Sequence, residues 1–291
     1  AEDGHPLRLY SRAHSSEDWT CLGTVLLLHG RTWSSQPVFD LRTSESDERM
    51  QSTLQTLNRL GFAAYALDFR GFGETPRDES GYTTPQRCVD DATHAIEWIT
   101  KLHPDNKEKP ALLGWSQGAL VAQLVAQSEF GRKSLSSLTL FGTIYDPRVV
   151  YPRRPLYENL KEAPTTPNTE AGALEDFTLP GSICDEAADA FGKLALTSDP
   201  IKAPWNELHQ FNACSPAMVH IPTHLIAGQQ DPYVSWEAQR ELFDRLGTDD
   251  KVWTILPECD HAAHILQKRR MFIRAVVAFW RRLDPDLRNL H

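Results

Sequence analysis

The stretch ALLGWSQGALVAQ, residues 111 to 123, changes from one apolar segment to another through a tight turn rich in glycine. The short apolar run before the turn predicts a buried strand, and the longer run after it predicts a helix. A strand that leads through such a turn into a helix is typical of a parallel sheet with helical crossovers. Ser116 lies at the centre of the turn, between Gly114 and Gly118.

The same alternation of strand and helix recurs along the chain and sets the predicted fold class. A helix is predicted after Thr84-Pro85, and another closes the chain around Met271 to Phe279. The pattern predicts an α/β protein with a mostly parallel sheet and helices on both faces. The other predicted strands lie at residues 24–30, 62–75, 135–142, 224–228 and 251–257, and the range 62–75 includes the loop that leaves its strand.

A proline-rich segment interrupts this pattern at residues 147 to 223. A parallel crossover needs only about a dozen residues, so we expect the excess to form an inserted cap. Its segments DEAADAFGKLAL and WNELHQF are predicted to be helices. The predicted domains are therefore an α/β core of residues 1–146 and 224–291 and a cap of residues 147–223.

The charge balance excludes some partners. Thirty basic and thirty-nine acidic side chains give a net charge of −9, which would repel phosphate backbones, so no nucleic acid partner is expected. No apolar run is long enough to span a bilayer, and the N-terminal AEDGHPLRLY lacks a signal-peptide pattern. We expect a soluble protein without stable membrane insertion, with a cytoplasmic location slightly favoured over secretion. The sequence leaves the oligomeric state open.

Five scattered cysteines are too few for a disulfide framework or a zinc site, and we predict neither a metal nor a cofactor. Buried thiols are the expected state. A disulfide between Cys184 and Cys214, both in the predicted cap, stays open as an alternative.

The turn at Ser116 is the feature of the sequence that most strongly indicates catalysis. A serine hydroxyl becomes a useful nucleophile only when a neighbouring base takes its proton, and a sharp strand-to-helix turn exposes it to a substrate. Small residues are required two positions before and after it, which Gly114 and Gly118 supply. The N–H groups of Gln117, at the start of the helix, and of Arg31, after His29-Gly30, are predicted to form an oxyanion hole. We expect His29 itself to shape its turn.

The base and its carboxylate partner are predicted just after two later strands. His261, in LPECDHAAH, follows the last strand and is favoured as the base over His264. Asp231, in GQQDPY, follows the preceding strand and is favoured over Asp146 as the residue that orients the imidazole. The carboxyl ends of parallel strands meet at one edge of a sheet, so these side chains are expected to lie near Ser116.

These pieces together resemble the α/β-hydrolase superfamily from about residue 20 to the closing helix. The resemblance implies a sheet of eight strands with a helical cap inserted after strand 6, and it implies structural roles for Asp68 and Arg70. In relatives a glycine most often precedes the histidine, whereas this chain has Asp260, whose carboxylate either disturbs the local pKa or faces solvent. The motifs that carry the resemblance are HG at 29–30, DFRGFGET at 68–75, GWSQG at 114–118, GQQD at 228–231 and DH at 260–261.

The resemblance also implies a function class, since the superfamily includes esterases, lipases, thioesterases, lactonases and carbon–carbon hydrolases. We expect a serine hydrolase that cleaves a small-molecule carboxylic ester, or a related lactone or thioester, through an acyl-enzyme on Ser116. Carbon–carbon bond hydrolysis by the same triad and a non-catalytic ligand-binding module are the alternatives. Trp33, Trp115 and Tyr145 are predicted to bind substrate near the mouth of the site, with the aromatic residues of the cap above them. Packing of the cap is the alternative role for these rings.

Overall fold

A seven-stranded sheet organises the structure, which is a computed structural model describing residues 1–13, 19–43, 52–106, 108–154, 157 and 162–283. The strand order is β1-β3-β2-β4-β5-β6-β7, and every neighbouring pair is parallel except the antiparallel β1 and β3. The strands are β1 Leu9–Ser11, β2 Gly23–Leu28, β3 Phe62–Leu67, β4 Ala111–Trp115, β5 Ser137–Phe141, β6 Thr223–Gly228 and β7 Lys251–Leu256.

The predicted fold class is confirmed, with one difference in the sheet. The six strands expected from apolar runs are present as β2 to β7. Every residue of the five strands β2 to β6 is buried, and such strands appear in a sequence as continuous apolar runs, whereas β7 is only partly buried. The described residues form seven strands rather than the eight implied by the family. The added strand is β1, whose three residues are too few to show a periodic pattern. In this numbering the inserted segment follows β5 rather than strand 6.

Helices cover both faces of the sheet, as the alternation predicts. Helices α1, α2 and α9 share a hydrophobic core with Leu27 of β2, whereas α3, α4 and α8 share the opposite core with Leu26. Successive strand residues point to opposite faces, so one strand feeds both cores. The helices are α1 Ser35–Phe39, α2 Thr53–Arg59, α3 Pro85–Leu102, α4 Gln117–Gln127, α5 Glu129–Ser134, α6 Glu170–Leu174, α7 Asp185–Ser198, α8 Trp236–Arg245 and α9 Arg269–Arg281.

Within its described residues, the chain between β5 and β6 contains α6, α7 and two 3-10 turns, Leu208–Ala213 and Pro216–Met218. The segment DEAADAFGKLAL forms α7, as predicted. The segment WNELHQF does not form a regular helix, because Glu207 has a positive φ of 52° that interrupts helical geometry before the first 3-10 turn begins. The division of the chain into a core and a cap at residues 147 and 223 stays a prediction.

The five cysteines are free thiols. Cys214 is close enough to the carbonyl of Leu120 for a weak hydrogen bond, and Cys184 is exposed just before α7. Within the described ranges, the structure has no helix that is both long and apolar enough to cross a membrane.

Arg70 joins three parts of the core through a buried ion-pair network. Its guanidinium donates two hydrogen bonds of 2.7 Å to Asp91 of α3, and both side chains are almost completely buried. It also donates to Asp3 near the N-terminus, at 2.7 and 3.0 Å. Arg70 therefore fixes the exit of β3 against α3 and the N-terminal segment.

We predict that Asp91→Ala lowers the free energy of unfolding by about 3 kcal/mol, because it leaves part of a buried guanidinium without its partner. Urea unfolding followed by circular dichroism measures the change. Asp90→Ala removes an exposed carboxylate from the adjacent position of α3 and is expected to change the free energy by less than about 0.5 kcal/mol. Equal stability of the two variants would contradict the structural role of the network.

Candidate active site

Ser116 occupies a strained turn between β4 and α4, with φ 58° and ψ −123°. Its two flanking glycines leave no space for side chains. A Cβ atom on Gly114 would lie 2.3 Å from the carbonyl oxygen of Gly118, and one on Gly118 would lie 2.2 Å from the carbonyl oxygen of His29. The N–H group of Ser116 donates to the carbonyl of Phe141 at 2.9 Å, which holds the turn at the end of β5.

Asp231 and His261 form a buried pair at the same edge of the sheet. Nδ1 of His261 lies 2.7 Å from Oδ2 of Asp231. A carboxylate only accepts hydrogen bonds, so Nδ1 carries the proton and Nε2 is left as the basic nitrogen. The other oxygen of Asp231 accepts the N–H group of Tyr233 at 2.9 Å, which fixes the carboxylate.

The residues that flank Ser116 connect it to this pair. Trp115 donates its indole N–H to the carbonyl of His261 at 2.9 Å. Gly142 follows the carbonyl that holds Ser116, and a Cβ atom there would lie 3.1 Å from Cε1 and Nδ1 of His261 and 3.3 Å from Oδ2 of Asp231. The structure thus brings Ser116, Asp231 and His261 to one corner of the sheet.

The electrostatic surroundings of His261 favour its charged form. Burial alone would lower the pKa of His261. The hydrogen bond and charge of Asp231 outweigh burial, together with the carboxylates of Asp176 and Asp260, and the pKa is raised above its ordinary value of 6.5. His264, by contrast, is fully buried, and burial lowers its pKa to about 3.

The two weaker candidates for the triad have other surroundings. His264 lies among the rings of Phe39, Trp115, Phe141 and Phe272, at centroid distances of 4.9 to 5.9 Å. Asp146 accepts the N–H group of Arg148 at 3.0 Å and pairs with the same residue's guanidinium, so it stabilises its own turn.

Two backbone N–H groups next to Ser116 have no acceptor within the part of the chain that the structure describes. They belong to Arg31 and to Gln117, the first residue of α4. A Cβ atom on Gly30 would lie 3.2 Å from Cβ of Ser116, so the Gly30-Arg31 turn lies directly beside the serine. Unpaired N–H groups at a helix start are suited to bind a negative oxygen.

Two contacts hold the turn that carries Arg31. Nε2 of His29 accepts the N–H group of Phe69 at 3.1 Å, which ties the ends of β2 and β3 together. Trp205, from the inserted segment, donates its indole N–H to the carbonyl of Arg31 at 2.8 Å. Sequence reasoning anticipated a structural role for His29 but not the role of Trp205, which lies 174 positions from Arg31.

A sequence model described as the alpha/beta hydrolase family matches residues 25–275. The chain belongs to the alpha/beta hydrolase family. The match covers most of the chain, from the third residue of β2 through β7, and includes all the residues of the corner just described. No curated protein sequence matches the chain.

Solved structures share this α/β-hydrolase fold over almost the whole chain. A serine hydrolase involved in carbazole degradation is 19% identical, with 90% of this chain and 92% of that chain covered and a TM-score of 0.60. An esterase from Exiguobacterium antarcticum is 16% identical, with 96% and 97% covered and a TM-score of 0.63. A thioesterase domain from the curacin biosynthetic pathway is 14% identical, with 93% and 94% covered and a TM-score of 0.60.

The three aromatic residues predicted to bind substrate are buried. Trp33 and Trp115 are 1% and 2% exposed and Tyr145 is 8% exposed. Trp33 packs edge-on against Phe191 of α7, and Trp115 packs against His261. The positions of these rings fit packing roles, and contact of any of them with a substrate stays a prediction.

Asp260, which departs from the glycine common in relatives, does not face solvent. It is fully buried and accepts the N–H group of Ala262 at 3.1 Å and that of Leu179, in the inserted segment, also at 3.1 Å. Of the two alternatives raised by the sequence, the electrostatic effect on His261 is the one that the structure supports. No group of three or more His, Cys, Asp or Glu in the described ranges is arranged to hold a metal ion.

We predict that Gly142→Ala slows labelling of Ser116 by a fluorophosphonate about tenfold or more, because a small displacement of the His261–Asp231 pair misaligns the base. The labelling rate is measured by mass spectrometry. Gly4→Ala is the matched control, since Gly4 also has a positive φ, of 76°, but an added Cβ would meet no described atom within 4 Å beyond its chain neighbours. Wild-type labelling of Gly142→Ala would show that the pair does not act on Ser116.

Proposed function

We propose that this protein is a serine hydrolase that cleaves carboxylic esters of small molecules, or related thioesters and lactones, through an acyl-enzyme on Ser116. The observation that carries the proposal is the buried His261–Asp231 pair beside the turn that presents Ser116. In this pair, Nδ1 of His261 lies 2.7 Å from Oδ2 of Asp231. Family membership supports hydrolytic chemistry, and the names of two structural neighbours, an esterase and a thioesterase, agree with it.

The geometry suggests how each group would act. Oγ of Ser116 attacks the substrate carbonyl while Nε2 of His261 takes its proton, and Asp231 stabilises the resulting imidazolium. The N–H groups of Arg31 and Gln117 bind the oxyanion; losing one such donor typically costs about 2.7 to 4 kcal/mol. The imidazolium then protonates the leaving alcohol. His261 next activates a water that attacks the acyl group, which regenerates Ser116.

The alternatives differ in what they require. A carbon–carbon hydrolase would use the same three side chains, so the substrate rather than the triad distinguishes it. A ligand-binding module would have no need for a base whose tautomer is fixed by a buried carboxylate. The assembled Ser116, His261 and Asp231 therefore favour turnover.

We predict that the purified protein hydrolyses short p-nitrophenyl esters and that Ser116→Ala abolishes this activity, because no nucleophile remains at the turn. Steady-state kinetics over a panel of acyl-chain lengths, run beside a β-diketone series, measures it and separates ester from carbon–carbon cleavage. Asp231→Asn should lower kcat far more than Asp146→Asn, which removes the same charge from a carboxylate that only stabilises its own turn. Undiminished ester turnover by Ser116→Ala would end the proposal.

The raised pKa of His261 generates a prediction about pH. Only the neutral imidazole accepts the serine proton, so kcat/KM is constant above the pKa and falls as the pH drops through it. Burial opposes protonation, but the contact with Asp231 outweighs it, so the midpoint of this fall should lie above 6.5. A pH profile of kcat/KM measures the midpoint. A flat profile between about pH 5 and 8 would contradict His261 as the base.

A further inference from the structure

A segment of the insertion passes close to His261. This segment, residues 174–182, is called the strap. Near one end, the hydroxyl of Tyr233 donates to the carbonyl of Glu175 at 3.4 Å. The Tyr233 ring packs edge-on against His261, with 4.8 Å between ring centroids, and its N–H group bonds Asp231. This end of the strap is therefore tied to the residue that covers the imidazole.

The other end of the strap is fixed to the loop that carries His261. The N–H group of Leu179 donates to the carboxylate of Asp260, the residue just before the histidine. The carbonyl of Ser182 accepts the N–H group of Gln267 at 2.9 Å. Both ends of the strap are thus fixed relative to the imidazole.

Asp176 lies between these two anchors. It is half-buried, and among the residues that the structure describes it has no hydrogen-bond or ion-pair partner. Phe177, the next residue, packs edge-on against Phe191 of α7, which holds the strap down beside it. Burial raises the pKa of Asp176, and the nearby charge of His261 opposes this rise.

Asp176 differs from the other charged groups that face His261. Asp231 and Asp260 already accept hydrogen bonds from protein groups, and His264 is neutral because burial lowers its pKa to about 3. Of these three carboxylates, Asp176 is the one without such a partner among the described residues. The titratable groups facing His261 are Asp231 and Tyr233 from the loop after β6, Asp260 and His264 from its own loop, and Asp176 from the strap; Glu175 interacts with Asp176 and Tyr233.

We propose that Asp176 is a positioning residue of the cap that acts through His261, its carboxylate stabilising the imidazolium that forms when Ser116 gives up its proton. This inference rests on the proposed function, because the imidazolium forms only if Ser116 is the nucleophile. A charge held near the developing cation in a site shielded from water is effective because solvent screens it little. Since the strap carries Asp176, the basicity of His261 depends on the contacts that hold the strap beside it.

The test is the pH profile of kcat/KM for Asp176→Asn on a p-nitrophenyl ester. Loss of the carboxylate should move the acidic limb to lower pH, because protonation of His261 becomes harder, and should lower the plateau, because the imidazolium is less stabilised. Asp176→Ser, a second neutral variant, should shift the limb in the same direction. Asp176→Glu keeps the charge and should return the limb towards wild type, and a purely structural role would not produce this pattern.

Asp189→Asn is the matched control, since it makes the same change at an exposed position of α7. Its acidic limb should coincide with that of the wild type. The inference is overturned if the acidic limb of a folded neutral variant coincides with that of the wild type, or if Asp176→Glu behaves like Asp176→Asn. Thermal melts monitor folding, and the neutral variant that folds decides the result.

Failure of this inference is distinguishable from failure of the proposed function. An unmoved limb in an enzyme that hydrolyses the ester, and whose Ser116 is labelled by a fluorophosphonate, overturns only the role of Asp176. A wild-type protein that shows neither turnover nor labelling overturns both.

Discussion

The candidate active site depends on one strained residue. Ser116 has a positive φ of 58°, a conformation that costs about 1 to 3 kcal/mol for a residue with a side chain. The cost is tolerated because Gly114 and Gly118 let α4 approach β4 and the end of β2 within backbone contact. The same approach aims the first N–H groups of α4 at the serine. Without this turn, the His261–Asp231 pair would have no hydroxyl to act on.

Much of the fold, and the approach of the candidate site residues to one edge of the sheet, could be predicted from the sequence because these features are encoded locally. Fully buried parallel strands are continuous apolar runs, and Ser116 and Asp231 each follow such a run within a few residues. His261 follows β7, which is only partly buried but also follows the pattern of a strand. The topology of a parallel sheet then places their loops at one edge. The preference for Asp231 over Asp146 agrees with the contacts that the two carboxylates make.

Other features could not be predicted because they depend on contacts between distant parts of the chain. Trp115 and His261 are 146 positions apart, and Leu179 and Asp260 are 81 apart. No local pattern indicates that the aromatic residue beside the serine will pack against the histidine and donate a hydrogen bond to its carbonyl. The unusual Asp260 was visible as a departure from the family pattern, but its partner in the strap was not.

The central claim is that the hydroxyl of Ser116 becomes covalently acylated during turnover. Rapid quenching of the protein with an excess of p-nitrophenyl ester, followed by peptide mass spectrometry, tests it most directly. The account predicts a burst of p-nitrophenol and an acyl group on the peptide that contains Ser116. Turnover of the ester with no acylated peptide, or with the acyl group on another residue, would contradict it.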